Sequence, residues 1–463
     1  MTDIISKLAE YVVNTKYEDL PPESIAYAKK SILDMTGITI AGAGMPGCRE
    51  VVDLIKDWGG KQESTIWVYG GKVPAVNAAL ANGTMGRALD LGDMNEYVGN
   101  HVSEYTFPQL LPAAEYKGKV SGKELITAQV LAQDLVLRVT ETIGRPADSE
   151  IIPRFGNPTV FGATAGVTRL LGMDVTSTWE AMGLAFEEYQ VAAMQKYIDG
   201  ALAVRVGTGL HSAGAVRSAL LARCGITGTK NVFEGDFNYY QHWGIDNYSL
   251  EPLTRNLGRY FEASRTSTKL GPNCKQTHAP VTATIDLVTE HDIKPEDIAE
   301  VDVAVDSKAY HLLCLPEEVK SNPKTVVDAQ FSLPYGVAVA IVKRDVWIDD
   351  FTPQAIDNAV VRELLPKIKP RPDTEVLVPD NWVGGSRVTI TTRDGARYSK
   401  LVSYAKGHPN NPITIEEMPE RFRKCVAFSP RPFAERNIDE LIELLLNLEQ
   451  VDDVSSIVRL LVP

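Results

Sequence analysis

Apolar residues recur at helical spacing through most of this chain and at strand spacing in one region only. Ile25, Ala28, Ile32 and Leu33 share a face after Pro21 and Pro22, and Gly37 follows, so the pattern predicts a helix opened by proline and closed near the glycine. Ser121 with Glu124 is a capping-box pair ahead of ITAQVLAQDLVLRV, and Ser177 with Glu180 repeats the device before EAMGLAFEEY. These segments are too apolar to stand alone and predict helices packed as a bundle. Around Lys269 the texture changes. Val301, Val303 and Val305 alternate with polar residues, and RVTITT, Asp394-Gly395 and ARYSKLVS read as a tight hairpin, with KTVVDAQFSLPYGVAVAIV between them as helix. Ile438, Leu441, Leu444, Leu445 and Leu448 return to helical spacing in the tail. The expected architecture is mainly α with an α+β second domain: a helical domain over 1–268, a smaller α+β domain over 269–402, and a C-terminal segment, 403–463, packing back on the helical domain.

A chain of 463 residues fits two or three domains. Its formal charge of −13, with no basic run carrying interleaved aromatics, argues against a nucleic-acid surface. The five cysteines, Cys48, Cys224, Cys274, Cys314 and Cys425, are scattered without a CxxC pair, and read as reduced thiols of a cytosolic protein. MTDIISKLAEYV lacks the basic segment and apolar core of a signal peptide, and no apolar run reaches membrane-spanning length. A cytoplasmic protein with neither a nucleic-acid nor a membrane partner is expected.

The segment from Asn82 to Pro108 carries the chemistry. It packs Asp90, Asp93, Glu96, His101 and Glu104 among small and turn-forming residues, with no apolar period to mark a helix face. Carboxylates held beside an imidazole push one another's proton affinities apart, the condition proton-transfer catalysts need. On composition alone the same stretch reads equally as a solvated acidic loop. GAGMPG, from Gly42 to Gly47, fits the GxGxxG pattern of dinucleotide sites, but the next candidate strand, TIWVYGG, ends in Tyr69, Gly70 and Gly71 where an acidic residue is required. The seven histidines never fall in an HExxH-like pair. No metal and no cofactor are expected.

The acidic segment resembles a signature of the MmgE/PrpD family: Asn82, Gly83 and Thr84, then Ala88, Leu89 and Asp90, then Asp93, then His101, Ser103 and Pro108. Three further motifs match in order. KLGPNC with KQTH supplies Lys269, Pro272, Cys274 and His278; DAQFSLPYGVAVAI supplies Asp328, Ala329, Ser332 and Tyr335; and AKGHPNNP supplies Gly407, His408 and Pro409. The resemblance implies a helical domain interrupted by an α+β lid, a homodimer, and lyase or isomerase chemistry on a small carboxylic acid. By position it gives the acid/base role to His101, with Asp90 charging or orienting it and Lys269 stabilising the carboxylate. Tyr335 and His278 are candidates for a second acid or donor. Asp93, Arg87, Arg205, Ser103, Cys274 and His278 complete the substrate-binding set, Cys274 as a site-lining thiol.

The departures from the family pattern narrow the substrate. Arg87 stands where the family has a histidine before ALD, and Leu91, Gly92, Asp93 and Met94 stand in place of FDDT. DGALAVRVGTG puts Val204 on a lysine that family members use for substrate and Gly207 on a histidine, while Arg205 keeps a basic side chain; in FGNPT, Asn157 stands where many members have a histidine. A tricarboxylate is therefore disfavoured. Removing a proton beside a carboxylate creates an enediolate dianion, which demands a base together with cations or donors. The expected activity is a cofactor-independent lyase, of dehydratase or decarboxylase type. An epimerase with two acid/base groups on opposite faces of one carbon, and a catalytically silent metabolite-binding homologue, are the alternatives.

Overall fold

The computed structural model describes residues 3–144, 159–188 and 195–463. The structure is mainly helical with small sheets. In the first half, Ile4–Asn14, Pro22–Gly42, Cys48–Trp58, Ala75–Arg87, Gly122–Glu141, Thr159–Leu171, Val175–Ala185 and Ala203–Arg223 are helices. The capping box forms as its spacing predicts: the Ser121 hydroxyl accepts from the Glu124 amide at 3.3 Å and the Glu124 carboxylate accepts from the Ser121 amide at 2.8 Å.

Two helix limits differ from the sequence reading. Pro22–Gly42 runs straight past Gly37, whose missing Cβ would stand 3.0 Å from the Phe422 ring. The glycine there serves a close helix contact rather than a stop. Asp174, not Ser177, caps Val175–Ala185, its carboxylate accepting from the Ser177 amide at 2.7 Å, while Glu180 accepts from the Gly228 amide at 2.7 Å. GAGMPG joins two helices with no strand before it, so the strand-turn-helix context of a dinucleotide site is missing.

In the second half a four-stranded sheet runs in the order Ile368–Pro372, Ile298–Val305, Ser386–Thr392, Arg397–Val402. The first pair is parallel and the others antiparallel, with the Asp394-Gly395 hairpin where its sequence predicts it. Helix His278–Glu290 packs on this sheet and on Leu333–Lys343. The expected single helix over KTVVDAQFSLPYGVAVAIV is two, Val326–Gln330 and Leu333–Lys343, because Ser332 turns to cap the second one, its hydroxyl accepting from the Tyr335 amide at 3.0 Å, and Pro334 enters the first turn. Among the described residues no helix is long and apolar enough to cross a membrane.

Two large hydrophobic cores result among the described residues. One unites the first-half helices with Met418–Val426 and Glu435–Leu446; the other fills the space between the sheet and its helices. The C-terminal segment is fastened to the first core by backbone: the Gly122 amide donates to Val451 and the Val454 amide to Val120, each at 2.8 Å. A Cβ on Gly122 would fall 1.6 Å from the Leu448 carbonyl oxygen. Gly122→Ala is expected to lower unfolding stability by at least about 2 kcal/mol, because backbone rather than a movable side chain must yield. Urea unfolding of the two proteins side by side checks it, and an unchanged midpoint would contradict this contact.

Candidate active site

The Ala75–Arg87 helix ends in a sharp turn that creates the site. Asp90 takes φ +52°, a left-handed conformation that aspartate tolerates better than most residues. Its amide donates back to the Arg87 carbonyl at 3.0 Å, and its carboxylate Oδ1 folds onto the Arg87 guanidinium. Oδ2 lies 3.0 Å from Lys269 Nζ. Lys269 also donates to the carbonyls of Asp90, at 2.6 Å, and Asn273, at 3.1 Å. From the same half as Lys269, Gln330 Nε2 donates to the Leu89 carbonyl at 2.8 Å. Two distant stretches of sequence therefore meet at residues 87–90. Burial alone would push the Asp90 carboxyl up, but Arg87, then Lys269 and His101, hold it well below the usual carboxylate range.

His101 reaches this pair from a short hairpin. Met94–Asn95 pairs with Asn100–His101 on one side and Thr266–Ser267 on the other. Gly99 turns the hairpin at φ +65°, where a Cβ would collide with Trp382 at 2.5 Å, so glycine is needed for both reasons. His101 Nδ1 lies 2.9 Å from the Asp93 carbonyl. A carbonyl only accepts, so Nδ1 carries the proton and Nε2 presents a lone pair, 3.7 Å from Asp90 Oδ1. Burial, then the charges of Lys269 and Arg87, push the ring's pKa down to about 3, against the pull of Asp90, so it is neutral at pH 7. Its side chain is 17% exposed, against 2% for Asp90 and 0% for Lys269, which makes His101 the member a ligand can touch.

Glu104 completes the cluster. Oε1 lies 3.1 Å from Arg87 Nε and Oε2 3.8 Å from His101 Nδ1. Burial pushes its carboxyl up to about 7, with Arg87 opposing and Asp90 assisting. Glu96, by contrast, turns away to Lys275 Nζ at 3.1 Å and His408 Nε2 at 3.9 Å.

Several of the expected ligand-binding residues are occupied by the protein itself. Asp93 accepts from the Ser103 amide at 2.7 Å and from the Tyr27 and Ser103 hydroxyls, and Ser103 Oγ in turn accepts from Gln133 at 3.0 Å. These two staple the loop that carries His101. His278 accepts from the Leu270 amide on Nδ1 at 3.2 Å and meets the Asn273 carbonyl with Nε2 at 3.3 Å, which fixes it as a neutral brace for the Lys269 turn rather than a free acid. Tyr335 is fully buried in the second core, its hydroxyl donating to the Asp350 carbonyl at 2.5 Å and its ring edge-on to Phe351, so the structure does not bring it to the cluster. Cys274 lies beside Asp90 and Lys269, but burial pushes its thiol up to about 11, leaving it protonated. Three oxygens surround the Lys269 ammonium, so its charge acts across the site while its N–H groups are engaged. Arg205 donates to the Pro46 carbonyl. Val204 has joined the second core, and Asn157 lies outside the described residues.

Sequence reasoning missed Lys196, Tyr105 and His211. Lys196 Nζ lies 3.5 Å from where a Cβ on Gly207 would be, and the His211 and Tyr105 rings meet edge-on at 5.5 Å. The available signal was the four-residue spacing of Gly207 and His211, which puts both on one face of Ala203–Arg223.

A lone-pair imidazole between buried cations and a carboxyl of raised proton affinity is chemically able to move a proton beside an anion. Residues 6–249 match the MmgE/PrpD N-terminal domain and residues 272–447 the MmgE/PrpD C-terminal domain; the chain belongs to the MmgE/PrpD family. It is 25% identical over 489 residues to the cis-aconitate decarboxylase-like protein oryM of Aspergillus oryzae, covering 99% of this chain and 97% of that protein. To the cis-aconitate decarboxylase of Aspergillus terreus it is 23% identical over 483 residues, with 99% and 96% covered. To that of Homo sapiens it is 22% identical over 475 residues, with 100% and 95% covered. These relatives support a lyase-type enzyme at the level of the family.

Glu104 gives the site a stability signature. Its folded affinity, about 7, exceeds the ordinary 4.5, so its contribution is fully present below pH 4.5 and is lost as pH rises through 7. Glu104→Gln removes that slope. The Tm difference, variant minus wild type, is therefore expected to shift in the variant's favour between pH 5 and pH 8, read by thermal unfolding at both values. A difference independent of pH would mean that Glu104 does not titrate in this range.

Proposed function

We propose that this protein is a cofactor-independent lyase, of dehydratase or decarboxylase type, that acts on a small carboxylic acid through a stabilised carbanion. The observation that carries the reading is His101 Nε2: an unprotonated nitrogen, fixed by the Nδ1 bond to Asp93, on the most accessible side chain of a buried ionic cluster. A carboxylate entering beside the ring adds negative charge there, which raises the ring's proton affinity from its depressed resting value toward one useful for taking a proton. Arg87 and Lys269 supply a fixed positive field for the carbanion, formed in a dehydratase by proton removal ahead of loss of the β-hydroxyl as water, and in a decarboxylase by loss of CO2 ahead of uptake of a proton. Proton removal and charge stabilisation are both met by side chains, so the reading calls on no metal or nucleotide. In this reading segment 269–402 is the lid, which closes the site by bringing Lys269 onto Asp90.

An epimerase needs a second proton-transfer group on the opposite face of the carbon. Neither Lys269, surrounded by oxygens, nor Tyr335, turned to Asp350, is free to serve as that group. That favours the lyase. The relatives named for cis-aconitate suggest the kind of acid, but with Val204 packed in the second core and Gly207 bare, we expect methylcitrate and cis-aconitate to be poor substrates of this chain.

His101→Asn tests the reading. Asparagine can keep a donor toward Asp93 in similar volume while removing the lone pair, so kcat should fall by at least about a hundredfold with the fold intact. Exchange of the substrate's carbon-bound hydrogen with deuterated solvent should fall in step. A folded His101→Asn protein with near-normal kcat would take His101 out of the mechanism.

A further inference from the structure

The proton-transfer cluster leaves little to grip a substrate. Arg87 and Lys269 are committed to Asp90 and Glu104, and Asp93, Ser103 and His278 are bonded internally. Beside them stands a second group of polar atoms without such commitments. Lys196 has no ion-pair partner among the described residues, and its ammonium lies 3.5 Å from the point a Cβ on residue 207 would occupy. A larger side chain at 207 would have to share that space. One turn further along the same helix, His211 is 4% exposed and its Nδ1 has no hydrogen-bond partner among the described residues. An orphaned buried ring nitrogen is costly unless something comes to meet it.

The patch adjoins the proton-transfer cluster. Tyr105, which lies edge-on to His211, is the residue after Glu104, and Tyr197, next to Lys196, lies close enough to Arg87 to feel its charge. Burial, then Arg87, pull the Lys196 ammonium down to about 8, with Glu104 pulling the other way, so it is mostly charged at pH 7. Burial, then Lys196, bring His211 down to about 3. A charged amine beside a neutral imidazole suits one carboxylate: the amine supplies the charge, and the imidazole donates one hydrogen bond from whichever nitrogen holds its proton.

We propose that Lys196 and His211 form the pocket for a second carboxylate, so that the substrate is a dicarboxylate whose reacting carbon lies against His101 Nε2 and whose far carboxylate meets Lys196. This deepens the lyase reading and rests on it for the reacting end. The cation at the far end comes from Lys196, outside the Ala203–Arg223 helix, in place of Val204 and the bare Gly207.

The test uses two unsaturated acids as probes, mesaconate and tiglate. They share a methyl-branched trans alkene and differ in having a carboxylate or a methyl group at the far end. By calorimetry the wild-type protein should bind mesaconate at least about tenfold tighter than tiglate, the effect of one charge-assisted contact. Lys196→Met should lose about tenfold to a hundredfold on mesaconate while leaving tiglate within twofold. Lys196→Arg, which keeps the charge, should retain the preference and so separates a lost contact from a damaged fold. Equal binding of both probes by wild type, equal mesaconate binding by wild type and Lys196→Met, or no binding of mesaconate at 10 mM (about the weak end of useful affinities) each overturns the proposal. Lys196-dependent binding in a protein that turns over no carboxylic acid would keep this pocket and remove the lyase reading. Turnover of an acid with kinetics untouched by Lys196→Met would do the reverse.

Discussion

The pairing of Asp90 with Lys269 and Arg87 is the interaction on which the rest of the site depends. Three ionised groups with almost no exposure are stable together only because each offsets the desolvation of the others. Arg87 and Asp90 come from the end of one helix, Lys269 from 179 residues further on. Satisfying the charges therefore requires the two halves to close against each other, and Gln330 adds a neutral bond across the same seam. An ion pair of this kind contributes little net stability over a packed apolar contact, but it tolerates few alternative geometries. It fixes where the loop bearing His101 must lie.

The state of that histidine follows from the same cluster. Two cations and burial keep the ring neutral, and the Asp93 carbonyl decides which nitrogen carries its proton. Asp93 does this through its backbone while its side chain fastens the loop to Tyr27 and Ser103. One residue thus couples loop position to tautomer. The cluster also separates two kinds of carboxyl within a few ångströms: Asp90 held ionised by its cations, and Glu104 held near neutrality by burial. Environments that drive like groups apart are how a single pocket keeps both a charge and a proton available.

In a chain with a formal charge of −13, the cations at this seam are a local reversal of sign. Arg87, Lys269 and Lys196 gather where an anion would enter, and the remaining surface repels anions on average.

The sequence by itself determined the helices of the first half, the capping box at Ser121, the Asp394-Gly395 hairpin and the helical return of the tail, because spacing and local hydrogen bonds govern those features. Its motifs also named Asp90, His101 and Lys269, and its departure from them named Arg87; the four fold into one cluster. What lay beyond reach were the directions of side chains. Whether Tyr335 faces a pocket or Asp350, and whether His278 is an acid or a brace, is settled in each case by a single backbone carbonyl, 15 residues along the chain for Tyr335 and 5 for His278, and no periodicity encodes either. Gly37 was misread for the same reason, since a glycine that makes room for Phe422 looks in sequence like one that ends a helix. Lys196 had no motif at all. Only packing against Gly207 placed it beside the site, because the contact joins two elements that the chain's local pattern never relates.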